Sequence, residues 1–330
     1  MVQRFIASGA AIASTLLPRR SDLPRHSNAT AGAKTGQGAF TLIELLVVIA
    51  IIAILAAIML PVLHSAQVRS QNTLSAANVR QITQSGIMYA SDNNGYYVAN
   101  GQGQQSDQFY GWVQQWLDYE GGGPNGTDDT NTSLLATCML GPYLQNAAVF
   151  KSPLDVSKQF GMSGTPRNRS YSMNGAIACY TNNASSSTVG GNTWLNPTPS
   201  SPSYLVYVKE SQVVNRPGPS DLWMYLDEQS DSINDGSFAV QMPSSEYITK
   251  WVDIPAKYAG VCPFGFADGH VEIHKWLFPG SIPNPTYQPG SDSANKTTTS
   301  AQGPVGLGDP DVIWLAQHTS APIVPGSLPY

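Results

Sequence analysis

Between Phe40 and Val62 the chain runs FTLIELLVVIAIIAILAAIMLPV, apolar on every side apart from Glu44. About twenty such residues in helical geometry span the hydrocarbon core of a bilayer. A helix buried in a soluble domain usually keeps a polar stripe, so unbroken apolarity over this length points to membrane insertion. The many Ile and Val residues would suit a strand, but length and continuity outweigh that propensity. Arg19, Arg20, Arg25 and Lys34 precede the segment with Asp22 opposing them. The positive-inside bias therefore keeps residues 1–39 in the cytoplasm and exports the large carboxy-terminal part. Residues 5–17 look like the apolar core of a secretory signal, but the run is short and more basic residues come after it, so they are read as leader.

Composition narrows the function classes. The 330 residues carry 17 Lys and Arg against 22 Asp and Glu, with a net charge of −5 and no dense basic run. Clustered phosphate contacts are thereby excluded, and with them a broad nucleic-acid interface. Cys138, Cys179 and Cys262 lie far apart without a CxxC pair. Neither a structural zinc site nor a dense disulfide framework is indicated, and one disulfide is the most that can form. No GxSxG, HExxH or Walker loop occurs, and Ser293-Ala294-Asn295-Lys296 fits SxxK by chance in a polar tail. The chain reads as a non-enzyme.

Glu44 is the informative residue. A carboxylate carried into hydrocarbon costs about 2.5–3.5 kcal/mol by insertion scales, so it is retained for a purpose or sits close enough to the interface to reach water. Around it, Gly38-Ala39-Phe40-Thr41-Leu42-Ile43-Glu44 resembles the processing motif of type IV prepilins and type II secretion pseudopilins. The resemblance implies that a prepilin peptidase cuts between Ala39 and Phe40, or one residue earlier after Gly38, and methylates the new amine. It also places Glu44 at the fifth mature position, where the family's glutamate guides assembly. A methylated amine stays cationic, so pairing it with a neighbour's Glu44 would remove an unpaired charge from a low-dielectric bundle.

Pro61 stands where many type IV pilins carry proline. Loss of its backbone donor would kink or loosen the helix near the membrane exit, or end it there. Beyond it, Val79, Ile82, Gly86 and Tyr89 recur at helical spacing. A helix from Phe40 to about Ser91, roughly 78 Å long at the standard rise, is expected to cradle an exported domain with its second half. Asp92-Asn93-Asn94-Gly95 would end it.

In the remainder, Trp112–Tyr119 and Leu134–Leu144 are expected as helices, Leu205–Val208 and Leu222–Leu226 as strands, and Phe264–Trp276 as a hairpin. Asp268-Gly269 is placed for a two-residue turn that would set Phe266 opposite Val271 and Phe264 opposite Ile273. His270, Glu272 and His274 would then line the other face. The FADGHVEIHKW segment resembles the carboxy-terminal signature of a prepilin-like group of planctomycetes and verrucomicrobia, as do Asn78–Tyr97 and Tyr171-Ser172-Met173-Asn174. Two departures are plain. Tyr258 stands where the signature has its histidine ten residues before Asp268, and Ser152-Pro153-Leu154-Asp155 replaces the group's Cys-Pro-x-Asp.

Two constellations remain. Asp227, Asp231 and Asp235, with Glu228, form the densest acidic group and are candidate calcium ligands, although Ile233 and Met242 break the EF-hand pattern. Trp112, Trp116, Tyr119, Trp194, Tyr204, Trp223 and Trp251 could serve either as core or as sugar platforms. The whole predicts an α+β, type IV pilin-like chain: leader over residues 1–39, long helix over 40–91 with its membrane span at about 40–62, and exported domain with an antiparallel sheet over 92–330. Expected partners are the prepilin peptidase, other pilin or pseudopilin subunits, an inner-membrane assembly platform and lipid. The competing expectation is a membrane-anchored extracytoplasmic adaptor that binds a ligand or polysaccharide.

Overall fold

A computed structural model describes residues 41–101, 111–122, 126–180, 204–214, 217–240, 242, 251–288 and 309–322. The chain divides into two compact units, Met1–Ala56 and Ala57–Tyr330. Helix α1 (Leu42–Asp92) contributes to both, and it is the one helix among the described residues long and apolar enough to cross a membrane. It continues through Pro61, so the proline does not terminate it. The Asn93–Gly95 turn ends it as expected, with Asn94 and Gly95 at positive φ and the Gly95 amide on the Ala90 carbonyl.

The second unit is built on a five-stranded mixed sheet in the order β7-β4-β6-β8-β9, where β4 is Tyr171–Asn174, β6 Trp223–Asp227, β7 Ser237–Phe238, β8 Val261–Phe266 and β9 Val271–Lys275. Its pairs are antiparallel except β4 with β7. Two smaller ladders flank it, β1 (Asn100–Gly101) with β5 (Cys179–Tyr180) and β2 (Lys158–Phe160) with β3 (Ser163–Pro166). Short helices α2 (Thr132–Thr137), α3 (Gly141–Leu144) and α4 (Pro310–Gln317) complete it.

The distal half of α1 lies on the sheet. Its buried positions are Asn72, Ser75, Val79, Ile82, Thr83, Ser85, Gly86 and Ala90. Two glycines make the close approach possible. A Cβ on Gly265 would stand 2.0 Å from Thr83 Oγ1, and one on Gly86 would stand 2.9 Å from the Tyr225 hydroxyl. From the sheet's other face, Trp314 of α4 stacks on His274 at 3.7 Å and packs edge-on to Phe264.

Several sequence expectations are corrected here. The hairpin has a three-residue loop: Phe266 N–H donates to His270 O, Gly269 takes φ +91°, and the register pairs Gly265 with Val271 and Phe264 with Glu272. That is the geometry of a turn followed by a left-handed glycine. A one-residue slip exchanges faces. Phe264 and Phe266 therefore share a face with Glu272, His274 and His270, whose ring stacks on Phe266 at 4.3 Å, while Val271 and Ile273 join Gly265 on the α1 side. Burial of Phe264 under α4 outweighs the alternation visible in β9 alone.

Trp112–Tyr119 is not helical. Its polar groups go to tertiary partners, with Trp112 Nε1 donating to Gly236 O and Leu117 N to Asn234 O. Leu134–Leu144 divides into α2 and α3 because Pro142 suits the first turn of a new helix. Leu205–Val208 forms only isolated bridges, at Tyr204, Tyr207 and Lys209 nearby. Cys138 and Cys262 are free buried thiols.

Candidate functional site

At the amino-terminal end of α1, Thr41 and Glu44 form a reciprocal cap. Thr41 N and Oγ1 donate to Glu44 Oε2 at 2.8 and 2.9 Å, and Glu44 N donates to Thr41 Oγ1 at 3.2 Å. This capping box satisfies donors that a helix start otherwise leaves open. Both side-chain bonds fall on one carboxylate oxygen, so the cap fixes the group's direction. The sequence signal for this cap is Thr-x-x-Glu ahead of an apolar run, a spacing that charge by itself does not reveal. Gly38, Ala39 and Phe40 lie outside the described residues, as do the 1–39 leader, Trp194 and Ser293–Lys296.

Beyond Glu44 the helix shows a continuous apolar surface. Leu42, Ile43, Ile54, Ile58, Met59, Leu60 and Val62 are all exposed, Leu42 by 81%. Such a surface is stable only against lipid or other apolar helices. At Pro61 the carbonyl accepts from Ser65 Oγ at 3.0 Å, which gives the turn after the proline a side-chain bond.

The signature hairpin is held by its own polar groups. Asp268 Oδ1 accepts from the His270 amide at 3.0 Å and meets His270 Nδ1 at 2.6 Å. Asp268 thus shapes its own turn. Next to it, His274 is pushed below the usual imidazole range, chiefly by burial against Trp314, with Glu272 and Asp311 opposing the shift.

The three aspartates of the acidic group do not converge. Asp227 Oδ2 accepts from Ser75 and Ser152. Asp231 accepts from the Tyr119 hydroxyl, the Thr286 amide and hydroxyl, and the Tyr287 amide. Asp235 accepts from the Ser237 amide. Among the described residues no three His, Cys, Asp or Glu side chains are grouped to hold a metal ion. The cations serving this loop are guanidinium groups. Arg167 donates to Ser230 O and Ile233 O, and Arg169 to Asn234 O and Tyr171 O. Both arginines are fully buried, and burial lowers Arg169 to about 10, with Glu228 and Asp235 opposing the fall. Sequence spacing could not reveal this, because residues 167 and 169 are more than sixty positions away from the loop carbonyls they serve.

The aromatic residues are mostly core. Trp112, Trp223, Trp251, Tyr119 and Tyr204 are buried, and Trp116 is partly so. A large side chain gains about 1.5–3 kcal/mol from full burial, which a ligand platform would forgo. None of the five buried rings offers a face to a sugar.

Comparison with known proteins agrees with the helix. The prokaryotic N-terminal methylation motif matches residues 34–60. The major component PilA4 of the type IV wide pilus of Thermus thermophilus is 51% identical over 57 residues. That alignment covers 17% of this chain and 44% of the pilus protein, so the chain spans less than half the length of the curated relative it matches. No solved structure matches. A membrane-anchored chain with an exported domain fits both the motif and the apolar helix. In its amino-terminal segment this chain is similar to a type IV pilin: the methylation-motif match over residues 34–60 runs into the long apolar helix, and an α+β domain follows.

Proposed function

We propose that this chain is a structural pilin or pseudopilin subunit. A prepilin peptidase removes residues 1–39, with Gly38 and Ala39 flanking the scissile region and Phe40 becoming the methylated amino terminus. The subunit then rests in the inner membrane with its domain exported, and an assembly platform extrudes it into a type II secretion or type IV pilus-like filament. The observation that carries the reading is Glu44, a carboxylate at the head of an exposed apolar helix and within the methylation-motif match over residues 34–60.

Physically, two states of α1 must be balanced. In lipid, Glu44 is costly unless it stays near the interface. In a filament core, a sister subunit's methylated amine neutralises it, and helix packing replaces lipid against Leu and Ile. Thr41 holds the carboxylate at the helix start in both states. No catalysis and no bound metal belong to this reading. The loop after β6 is held through its carbonyls by Arg167 and Arg169, and this reading assigns it no calcium.

Mass spectrometry of the mature amino terminus from the native membrane tests the processing step. A chain beginning at Phe40 with an added methyl group supports the proposal, and a chain beginning upstream of Gly38 defeats it.

A further inference from the structure

The seam between α1 and the sheet contains a carboxyl group with no cation of its own. Asp227, at the end of β6, is fully buried. Its Oδ2 accepts from Ser75 Oγ of α1 at 2.8 Å and from Ser152 Oγ at 2.6 Å. Ser152 Oγ also stands 3.4 Å from Ser75 Oγ, which closes a ring with Asp227, and the Tyr171 hydroxyl of β4 joins it 2.9 Å from Ser75 Oγ. The other oxygen, Oδ1, is buried with no hydrogen-bond partner among the described residues. The near ammonium group, Lys151 Nζ, is committed elsewhere, 2.5 Å from Asp155 Oδ2.

Among the described groups packed around Asp227, Lys151 is the cation, and it is bonded to Asp155. From the segment before β2 come Lys151 and Asp155, already paired. Tyr171 comes from β4, Cys262 from β8 and Tyr258 from the turn before β8, all groups whose charged forms are anions. Glu228 is next in the chain and is itself buried. Helix α1 presents only the neutral Ser75 and Asn78. An anion there leaves one oxygen desolvated and unpaired, which is expensive, whereas a neutral carboxyl still accepts both serine hydroxyls. Burial accordingly pushes Asp227 up to about 7, with Ser152, Ser75 and the Lys151 ammonium pulling down and Asp155 adding to the rise.

We propose that Asp227, Ser75, Ser152 and Tyr171 form a proton-dependent latch that holds the distal half of α1 on the sheet when the carboxyl is neutral and loosens it when the carboxyl ionises. Its ionised form draws water to Oδ1, and water enters between Ser75 and β6. The latch stands independently of the filament reading, since it lies wholly within the second compact unit.

The full chain in lipid nanodiscs tests this by amide hydrogen exchange over residues 68–82, corrected for the intrinsic pH dependence of exchange. Protection in the wild type is expected to fall roughly tenfold between about pH 5 and pH 9. Asp227→Asn should hold it constant to within about twofold, and Glu228→Gln should keep the wild-type fall. Equal protection of the wild type at both pH values would overturn the proposal, as would an unchanged fall in Asp227→Asn. Should the asparagine variant not fold, Ser152→Ala decides: removing a donor that favours the anion must move the wild-type midpoint to higher pH, and an unmoved midpoint refutes the latch.

Discussion

Along α1, the turns from Leu42 to Leu63 present Leu, Ile and Val outward, while those from Asn72 onward bury Asn, Ser, Thr and Gly beside Val79, Ile82 and Ala90. The same helix thus obeys opposite rules in its two halves. In the first half the backbone satisfies itself and the side chains seek lipid or sister helices, so no specific partner within the chain is needed. In the second half the contact is with a sheet, and small or polar residues win because they let the backbones approach and bond: Gly86 under Tyr225, Thr83 over Gly265, Ser75 on Asp227. Hydrophobicity locates the first half and steric fit the second.

The comparison is broken most directly at Glu44. Glu44→Ala should leave membrane insertion intact while filament incorporation, measured by sheared-fibre immunoblot, falls at least roughly tenfold, since an unpaired amine remains in the core. Normal incorporation of the variant would remove the reason for a carboxylate in the first half. Next in size is Gly265→Val, whose branched side chain must displace Thr83 and Val79. It should destabilise the sheet domain by about 3 kcal/mol in chemical denaturation, whereas Ile54→Ala in the first half should change it by less than about 0.5 kcal/mol.

Ser75→Ala sharpens the contrast within the second half. Removing one hydroxyl from the buried ring should cost about 1–2 kcal/mol, read by the same unfolding curves. Wild-type stability should also depend on pH in a stated direction. Burial first, moderated by nearby hydroxyls, holds Asp227 up at about 7 and Glu228 up at about 8. Groups raised in the folded state contribute stability that is complete below their unfolded values and lost as pH climbs through the folded ones. The unfolding midpoint should therefore decline from about pH 4 towards pH 8. His274 works in the opposite sense: its lowered value gives stability present above the unfolded imidazole range and lost on acidification, so His274→Gln should flatten the acid side slightly. The smallest expected effect is that of calcium, which should leave the midpoint unchanged because Arg167 and Arg169 already serve the loop carbonyls. A rise on adding calcium would return Asp227, Asp231 or Asp235 to the role of ligands.

Legibility in the sequence divides along the same line. The helix, its end at Asn93–Gly95, β6 and the existence of the β8–β9 hairpin were all readable, because each rests on residues adjacent in the chain. The hairpin register was not, since the turn at Ala267–Gly269 is chosen by how Phe264 and Phe266 pack and not by the Asp-Gly pair alone. Nor could Trp112–Tyr119 be separated from a helix without knowing that Gly236 and Asn234 would receive its bonds. Of the candidate site residues, Glu44 and Pro61 lie in α1, and Asp268 and His270 shape their turn.

By itself the sequence determined a membrane-length apolar helix, a carboxylate at its head and a match to an N-terminal methylation motif around it, because composition and spacing along one segment suffice for all three. Only the tertiary structure decided which groups hold the acidic loop and which surround Asp227. The arginines that clamp the acidic loop, and the serines and tyrosine that surround Asp227, come from distant segments, and electrostatic cost depends on what burial brings within a few ångströms.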